Sequence, residues 1–283
     1  MTVNSTDEWY DTKTVSDGIY RLLEGPYYGM YLISGTEQSL LIDAGIGVGD
    51  LRGLVTALVD TPVTLLLTHW HWDHIGNAAQ FEDVRIHERE LSSDGRVAID
   101  GRSEEFVGRP ANFVERWQAA GKAFPDGFDP DEYAVEPVDN PTPLSGEETF
   151  DLGNRTLESL HLPGHSPGQL GFLDREAGIL YGGDVIHVEE GLYVHLNGCD
   201  LRAYQKTFER LRDLRDADAF ETLLTSHNPP LSGEELRILD ELEDGVRCII
   251  DGDASYDVVE TDWGPARRYV FEGSVVFTDT DIQ

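Results

Sequence analysis

The chain has 283 residues and 40% hydrophobic content, but no run approaches the roughly 18 consecutive apolar residues of a membrane-spanning helix. Its 54 acidic and 21 basic residues give a formal net charge of −33. Such a surface repels nucleic-acid backbones, so we expect no nucleic-acid partner, and the lack of a long apolar run predicts no membrane partner. Because the acidic residues are spread along the chain, we interpret them as a solvated surface suited to concentrated salt. A docking site for a cationic partner is the alternative.

The composition resembles that of proteins from extremely halophilic archaea. The N-terminal residues are polar and acidic and lack the basic-then-apolar pattern of a signal peptide, which predicts a cytoplasmic protein. Cys199 and Cys248 are the only two cysteines and lie far apart in the sequence. In a cytoplasmic chain we expect both to be free thiols.

The first half of the chain is predicted to be rich in strands. Apolar runs between glycine turns predict strands in 18–23, 29–33 and 39–43. The spacing of apolar residues in 48–58 predicts a helix, and 62–67 reads as a buried strand.

Residues 88–147 break this pattern with frequent glycine, proline and acidic residues, although 110–120 is predicted to be helical. The segment also carries scattered aromatic side chains, namely Phe106, Phe113, Trp117, Phe124, Phe128 and Tyr133. We predict an insertion that is either a lid or cap over a site or a solvated excursion with its own small core.

The second half repeats the order of the first. Strands are predicted in 148–152, 156–162, 169–173, 178–181 and 219–224, helices in 201–214 and 236–249, and a last hairpin in 268–277. Ser232 and Glu235 form a candidate capping box before the second helix. Two sheets with helices outside them are the natural packing of such a pattern, so we expect an α/β fold. We predict one domain over 1–283, with 88–147 as its inserted segment.

The run from Thr68 to His74 reads Thr-His-Trp-His-Trp-Asp-His. His69 and His71 are two residues apart, so in an extended segment both rings point to the same side. Asp73 and His74 follow where a turn can direct them at a second ion. Three imidazoles and one carboxylate suit a divalent metal such as zinc. Histidines held by packing are the alternative, but the position after a buried strand favours a metal site.

Three further candidate ligands each follow a predicted strand. His165 lies in the turn Pro-Gly-His-Ser-Pro-Gly, Asp184 follows two glycines, and His227 follows the strand that ends at residue 224. Each signal is weak alone, because a single polar residue after a strand is more often an ordinary turn residue. The glycines of 45–49 lie where a dinucleotide-binding loop would, but they lack its full spacing.

Taken together and in order, these motifs resemble those of the metallo-β-lactamase-fold hydrolase superfamily. The matching segments cover nearly the whole chain and are Leu41-Ile-Asp-Ala-Gly45, the 68–74 run, Pro163-Gly-His165, Gly183-Asp184 and Ser226-His227. The resemblance implies a four-layer αββα sandwich with the site at one sheet edge. It also implies two divalent metal ions, for which we expect zinc, with iron or manganese also compatible with these ligands.

The resemblance assigns a role to each candidate residue. His69, His71 and His165 would hold the first ion, whereas Asp73, His74 and His227 would hold the second, and Asp184 would bridge the two. Asp43 would support the segment 68–74, which carries the first four ligands, without being a ligand itself. As the catalytic residue, Asp73 would orient a metal-bridging hydroxide and relay a proton. His187 and Tyr193 are candidate substrate contacts, with ordinary packing as the alternative.

The finer resemblance is to a branch that includes metallo-β-lactamase-domain-containing protein 2 and glyoxalase II-like enzymes. It rests on Glu8-Trp-Tyr10, Gly183-Asp184-Val-Ile and Asn228-Pro-Pro230, and the absence of a cysteine ligand argues against the β-lactamase subclasses that use one. This branch implies hydrolysis of a small-molecule thioester, such as an acyl-CoA, or of a similar activated carboxyl ester. A lactonase is one alternative, and a mononuclear iron persulfide dioxygenase is an alternative of another class. The oligomeric state stays open.

Overall fold

The computed structural model describes residues 9–25, 27–188 and 190–280. The chain divides into two compact units. The first runs to Ser145 and includes Thr149–Thr156, and the second comprises Gly146–Glu148 and the chain from Leu157 onward. Glu8 and the acidic N-terminal segment lie outside the described residues. That the whole chain forms one domain stays a prediction.

The first unit contains a seven-stranded sheet whose strands follow one another in chain order. They are β1 Tyr10–Ser16, β2 Ile19–Glu24, β3 Tyr28–Ile33, β4 Ser39–Ile42, β5 Val63–Leu66, β6 Val84–His87 and β7 Thr142–Leu144. Neighbours from β1 to β4 are antiparallel, whereas those from β4 to β7 are parallel. The strands predicted in 18–23, 29–33, 39–43 and 62–67 are confirmed as β2 to β5.

Four α-helices belong to the first unit, namely α1 Leu51–Leu58, α2 Trp72–Ile75, α3 Glu104–Val107 and α4 Arg109–Ala119. The helix predicted in 48–58 is confirmed as α1. It starts at Leu51 because the carboxylate of Asp50 caps it, accepting a hydrogen bond of 2.8 Å from the backbone N–H of Gly53. The helix predicted in 110–120 is confirmed as α4. A short strand, β8 Thr149–Asp151, also belongs to this unit.

The second unit carries two sheets. Its strands are β9 Thr156–His161, β10 Leu170–Asp174, β11 Ile179–Gly183, β12 Leu192–Tyr193, β13 Thr222–Thr225, β14 Leu231–Ser232, β15 Asp257–Thr261, β16 Gly264–Val270 and β17 Val275–Thr278. One sheet contains the order β14-β13-β11-β10-β9 and the other has the order β12-β17-β16-β15. Within the first of these, β11 and β13 are parallel neighbours.

Helices α5 Leu201–Asp216 and α6 Ile238–Asp251 confirm the two helices predicted in this unit. Their apolar faces bury Phe208, Leu239 and Val246 in a core shared with Leu173 and Leu223 of the sheet. The predicted capping box is present, but it opens a 3-10 turn at Gly233–Arg237 that precedes α6. The sheets and helices together confirm the α/β class. Among the described residues, no helix combines the length and apolar character that crossing a bilayer requires.

Candidate metal centre

Residues 68–74, which carry the predicted ligands of the first unit and are called the ligand loop, begin where two parallel strands end side by side. Ile42 of β4 pairs with Leu66 of β5, so Asp43 and Thr68 leave the sheet at the same edge. One oxygen of the Asp43 carboxylate accepts hydrogen bonds from the backbone N–H and the hydroxyl of Thr68, at 2.8 and 3.0 Å. The backbone of Asp43 is left-handed, with φ of 64°, which directs its side chain back toward this loop.

Three histidines of the loop lie close together in the first unit. The ring centroid of His69 is 4.4 Å from that of His71 and 4.0 Å from that of His74. Nδ1 of His74 lies 2.8 Å from a carboxylate oxygen of Asp43, and Nδ1 of His69 lies 3.0 Å from the Thr68 hydroxyl. Because these partners engage Nδ1, Nε2 is the atom that each ring would offer to a metal.

Asp73 completes this group at the start of α2. One of its carboxylate oxygens lies 3.9 Å from Nε2 of His74. That distance exceeds a normal hydrogen bond of about 2.7–3.2 Å. It is instead near the separation of two atoms that bind one ion, which is about 3.4 Å for zinc with bonds of roughly 2.0–2.2 Å. The first unit therefore brings together all four of its predicted ligands.

The insertion contacts this loop through aromatic rings. Phe106 of α3 stacks on the imidazole of His71, with centroids 4.5 Å apart and an interplanar angle of 24°, and it meets Trp70 edge-on at 4.9 Å. Phe113 of α4 lies 5.7 Å from Trp72. Trp70 and Trp72 are both buried, so they pack the loop into the first unit. These contacts join the insertion to the loop, and the choice between a lid and a solvated excursion with its own small core stays a prediction.

The second unit uses the same arrangement of parallel strands. Gly183 at the end of β11 pairs with Thr225 at the end of β13, so Asp184 and His227 leave this sheet at one edge. The backbone N–H of Ser226 donates to the carbonyl of Gly183 at 3.1 Å, which joins the two loops just before the candidate ligands.

Three imidazoles surround one buried carboxylate in the second unit. The Oδ2 atom of Asp184 lies 3.3 Å from Nε2 of His227, 3.5 Å from Nε2 of His187 and 3.6 Å from Nε2 of His165. These separations again match those of atoms that share a metal ion, about 3.4 Å, rather than those of short hydrogen bonds. The donor types and spacing of this group therefore fit a divalent metal.

The turn that carries His165 is held by the start of α5. The backbone N–H of Asp200 donates to the carbonyl of Gly164 at 2.8 Å, and the hydroxyl of Thr207 donates to the carbonyl of Pro163 at 2.6 Å. The thiol of Cys199 donates to the carbonyl of His165 at 3.1 Å. Both cysteines are free, as predicted. Sequence spacing gave no sign that Cys199 would lie beside a candidate ligand.

The two candidate substrate contacts occupy different surroundings within the second unit. His187 lies in the histidine group around Asp184, where its ring stacks on that of His227. Tyr193 in β12 stacks on Phe277 of β17 with centroids 4.8 Å apart, and Trp263 meets it at 4.6 Å. Tyr193 is thus part of an aromatic cluster, and its contact with substrate stays a prediction.

Replacing Asp43 by Asn is expected to weaken metal binding about 10–100-fold, the usual cost of removing the outer partner of a metal-binding histidine. The change removes the negative charge beside His74, and the amide cannot accept on both of its terminal atoms. Competition with a chelator would measure the affinity. Asp83→Asn is a matched control, since that carboxylate pairs with Arg85 in the same unit. Unchanged affinity in Asp43→Asn would contradict the supporting role.

Comparison with known proteins places the chain in a family. The model of the metallo-beta-lactamase superfamily matches residues 30–220. Acyl-coenzyme A thioesterase MBLAC2 of Bos taurus is 30% identical over 250 residues, which cover 81% of this chain and 85% of that protein. The Gallus gallus protein of the same name is 29% identical over 247 residues, covering 81% of this chain and 84% of that protein.

A more distant relative agrees with this placement, and a solved structure has a similar fold. Hydroxyacylglutathione hydrolase GloC of Haemophilus influenzae is 29% identical over 153 residues, covering 53% of this chain and 62% of that protein. A metallo-beta-lactamase family protein from Thermus thermophilus has a similar fold, with a TM-score of 0.58, 23% identity and coverage of 84% of this chain and 82% of that one. The family match spans more than half of the described sequence and confirms the resemblance on which the site was predicted. The chain therefore belongs to the metallo-beta-lactamase superfamily.

Proposed function

We propose that the protein is a metal-dependent hydrolase that cleaves small-molecule thioesters, with acyl-CoA esters as the leading substrates. The observation that carries the proposal is the carboxylate of Asp184 surrounded by three imidazoles at metal-ligand spacing. Family membership supports the hydrolytic chemistry, and the names of the thioesterase relatives, similar over most of this chain, support the substrate class.

The proposed centre has the seven ligands that the sequence motifs predict. His69, His71 and His165 would hold one divalent ion, Asp73, His74 and His227 would hold the other, and Asp184 would be a ligand of both. Zinc is the expected metal, because imidazole and carboxylate ligands without thiolate suit it, although iron and manganese accept the same donors. When bound, such a pair lowers the pKa of a shared water to about 7 and polarises a carbonyl.

The protein's own side chains then orient the reactants. Asp73 is the proposed catalytic residue, which accepts a hydrogen bond from the attacking water and carries its proton toward the leaving group. A thiolate leaves readily, so a carboxylic acid is a sufficient proton donor for it. Asp43 fixes the ring of His74, and the packing of Trp70 and Phe106 keeps bulk water from the side of His71.

A substrate panel tests the proposal on one metal-loaded sample. We expect turnover of acyl-CoA and acyl-glutathione thioesters in molar salt, with two zinc ions per chain by elemental analysis. The panel includes lactones, a phosphodiester and glutathione persulfide with oxygen uptake. Lactone turnover without thioester turnover would favour a lactonase. One iron per chain with oxygen uptake on the persulfide would overturn the hydrolase.

If the enzyme hydrolyses acyl-glutathione but not acyl-CoA, its substrate is a thioester of the glyoxalase II type. Acyl-pantetheine carries the same thioester as acyl-CoA but lacks the nucleotide phosphates. Comparing the two substrates therefore distinguishes recognition of the thioester from repulsion of the phosphates. A chain with a net charge of −33 repels those phosphates at low salt, and screening lengths shrink to about 3 Å at 1 M salt. We therefore expect salt to lower KM for acyl-CoA and to leave KM for acyl-pantetheine nearly unchanged.

A further inference from the structure

We infer that His187 is an additional metal-binding residue of the second unit, where it joins His165 and Asp184 in holding one ion. The inference rests on the proposed function only in taking His165 and Asp184 to be metal ligands. The sequence-based ligand set does not include His187, which the sequence predicts as a substrate contact.

His187 lies as close to the carboxylate of Asp184 as the two histidines that the sequence predicts as ligands. Its Nε2 lies 3.5 Å from Oδ2 of Asp184, between the 3.3 Å of His227 and the 3.6 Å of His165. One ligand atom from each of His165, Asp184 and His187 lies within 4.8 Å of the other two. Two imidazole nitrogens and a carboxylate oxygen match the three-ligand sets of catalytic zinc, which leave a fourth position open.

The backbone on both sides of His187 is fixed by one buried side chain. The amide oxygen of Asn228 accepts the backbone N–H of Val188 at 2.9 Å, and its NH2 group donates to the carbonyl of Ile186 at 2.8 Å. The same NH2 group donates to the hydroxyl of Thr225 at 2.8 Å, which ties Asn228 to the end of β13. His187 is therefore held between two anchored peptide groups.

The ring of His187 is also held by its neighbours. It stacks on His227 with centroids 5.4 Å apart and an angle of 20°, and it lies 5.8 Å from the ring of His165. A ligand whose backbone and ring are both fixed loses little conformational freedom when a metal binds. This arrangement is the kind of support that metal-binding histidines receive in proteins.

The seven-ligand scheme gives His187 no metal, so under that scheme replacing His187 would leave zinc binding unchanged. If His187 is a ligand, the second unit can hold one ion without the histidines of the first. We therefore expect the full chain with His69→Ala, His71→Ala and His74→Ala to retain about one zinc equivalent. Adding His187→Phe to that protein should raise its zinc dissociation constant by well over the roughly 10-fold typical of an outer-partner substitution.

The experiment measures zinc by elemental analysis after dialysis and by chelator competition, together with the absorption spectrum of the cobalt-loaded protein. His195→Phe in the same background is the matched control. His195 also belongs to the second unit, but its Nε2 lies 3.3 Å from the hydroxyl of Thr261, away from Asp184. The control should keep its zinc equivalent and its cobalt spectrum. Circular dichroism shows whether each variant is folded, and His187→Gln replaces the phenylalanine variant if that one is not.

Two outcomes would overturn the inference, and only the second of them would also reject the proposed function. Unchanged zinc affinity in His187→Phe and His187→Gln, with a raised KM in the otherwise unmodified chain, would make His187 a substrate contact and leave the hydrolase proposal intact. A wild-type chain that binds no divalent metal would reject both the inference and the proposed function.

Discussion

Asp184→Ala is expected to abolish metal binding and turnover together. The substitution removes the carboxylate on which His165, His187 and His227 converge at 3.3–3.6 Å, and with it the negative charge that offsets a bound cation. Losing an outer partner of a ligand typically costs about 10–100-fold, so removing the carboxylate that we propose two ions share should lower kcat/KM by more, on the order of 10³-fold. Zinc content and thioester turnover are measured on the same sample.

Asp174→Ala is the matched control for that change. Asp174 is also buried, at the end of β10, but its carboxylate accepts the backbone N–H of Ala177 at 2.9 Å. Replacing it should lower the unfolding free energy of the protein and leave the zinc content unchanged. His69→Ala tests the first unit and should lose activity together with about one of the two zinc equivalents. Wild-type turnover in either Asp184→Ala or His69→Ala would refute the site assignment.

The strands nearest the site were the easiest to predict. Residues in β3, β4 and β11 are almost all buried, so they form continuous apolar runs between turn residues. Strands β1 and β15 were missed, because β1 buries only Tyr10 and Thr12 and β15 has no fully buried residue. With so few apolar positions, neither segment shows the alternation that marks a half-buried strand. Their place in the sheets is decided by pairing with β2 and β16.

The candidate ligands were predictable for a related reason. Ligands that follow parallel strands leave the sheet at the same edge, so the ends of β4, β5, β11 and β13 indicated where to look. The side chains that hold those ligands were not predictable. Asn228 fixes the backbone around His187 from 41 positions away, and Phe106 reaches His71 from the insertion. Such contacts follow no spacing in the sequence, because they depend on where separate elements meet in the folded chain.

Glu24→Ala is expected to destabilise the protein by about 3–5 kcal/mol, which places it among the severe single substitutions. Glu24 is fully buried at the end of β2. Its carboxylate accepts the backbone N–H groups of Ile46, Val48 and Gly49 at 2.7, 3.0 and 3.2 Å, and the indole N–H of Trp9 at 2.9 Å. Each buried donor left without its acceptor costs about 1–3 kcal/mol, and partial rearrangement keeps the total below the full sum.

Glu24 binds the backbone of residues 46–49, and the adjoining residues 44 and 45 support the ligand loop. The backbone N–H of Ala44 donates to the carbonyl of His74 at 2.7 Å, and the N–H of Gly76 donates to the carbonyl of Gly45 at 2.8 Å. We therefore expect Glu24→Ala to lose metal at a lower denaturant concentration than the wild type. Glu37→Ala is the control, because Glu37 is exposed in the same unit, and it should change the unfolding free energy by less than about 0.5 kcal/mol. Equal denaturation midpoints for the two variants would contradict the anchoring role.

The pH dependence of Glu24 gives a second, independent measurement. Burial raises the pKa of Glu24 above its ordinary value of 4.5, against the lowering effect of the hydrogen bonds from Trp9 and the loop backbone. A carboxyl group whose pKa is raised by folding favours the folded state at pH below 4.5, and this contribution is lost as the pH rises through the folded-state pKa. The neutral amide of Glu24→Gln does not titrate. The unfolding free energy of the wild type minus that of Glu24→Gln should therefore fall as the pH rises above about 4.5. A difference that grows with pH would mean that the hydrogen bonds outweigh burial and that folding lowers this pKa.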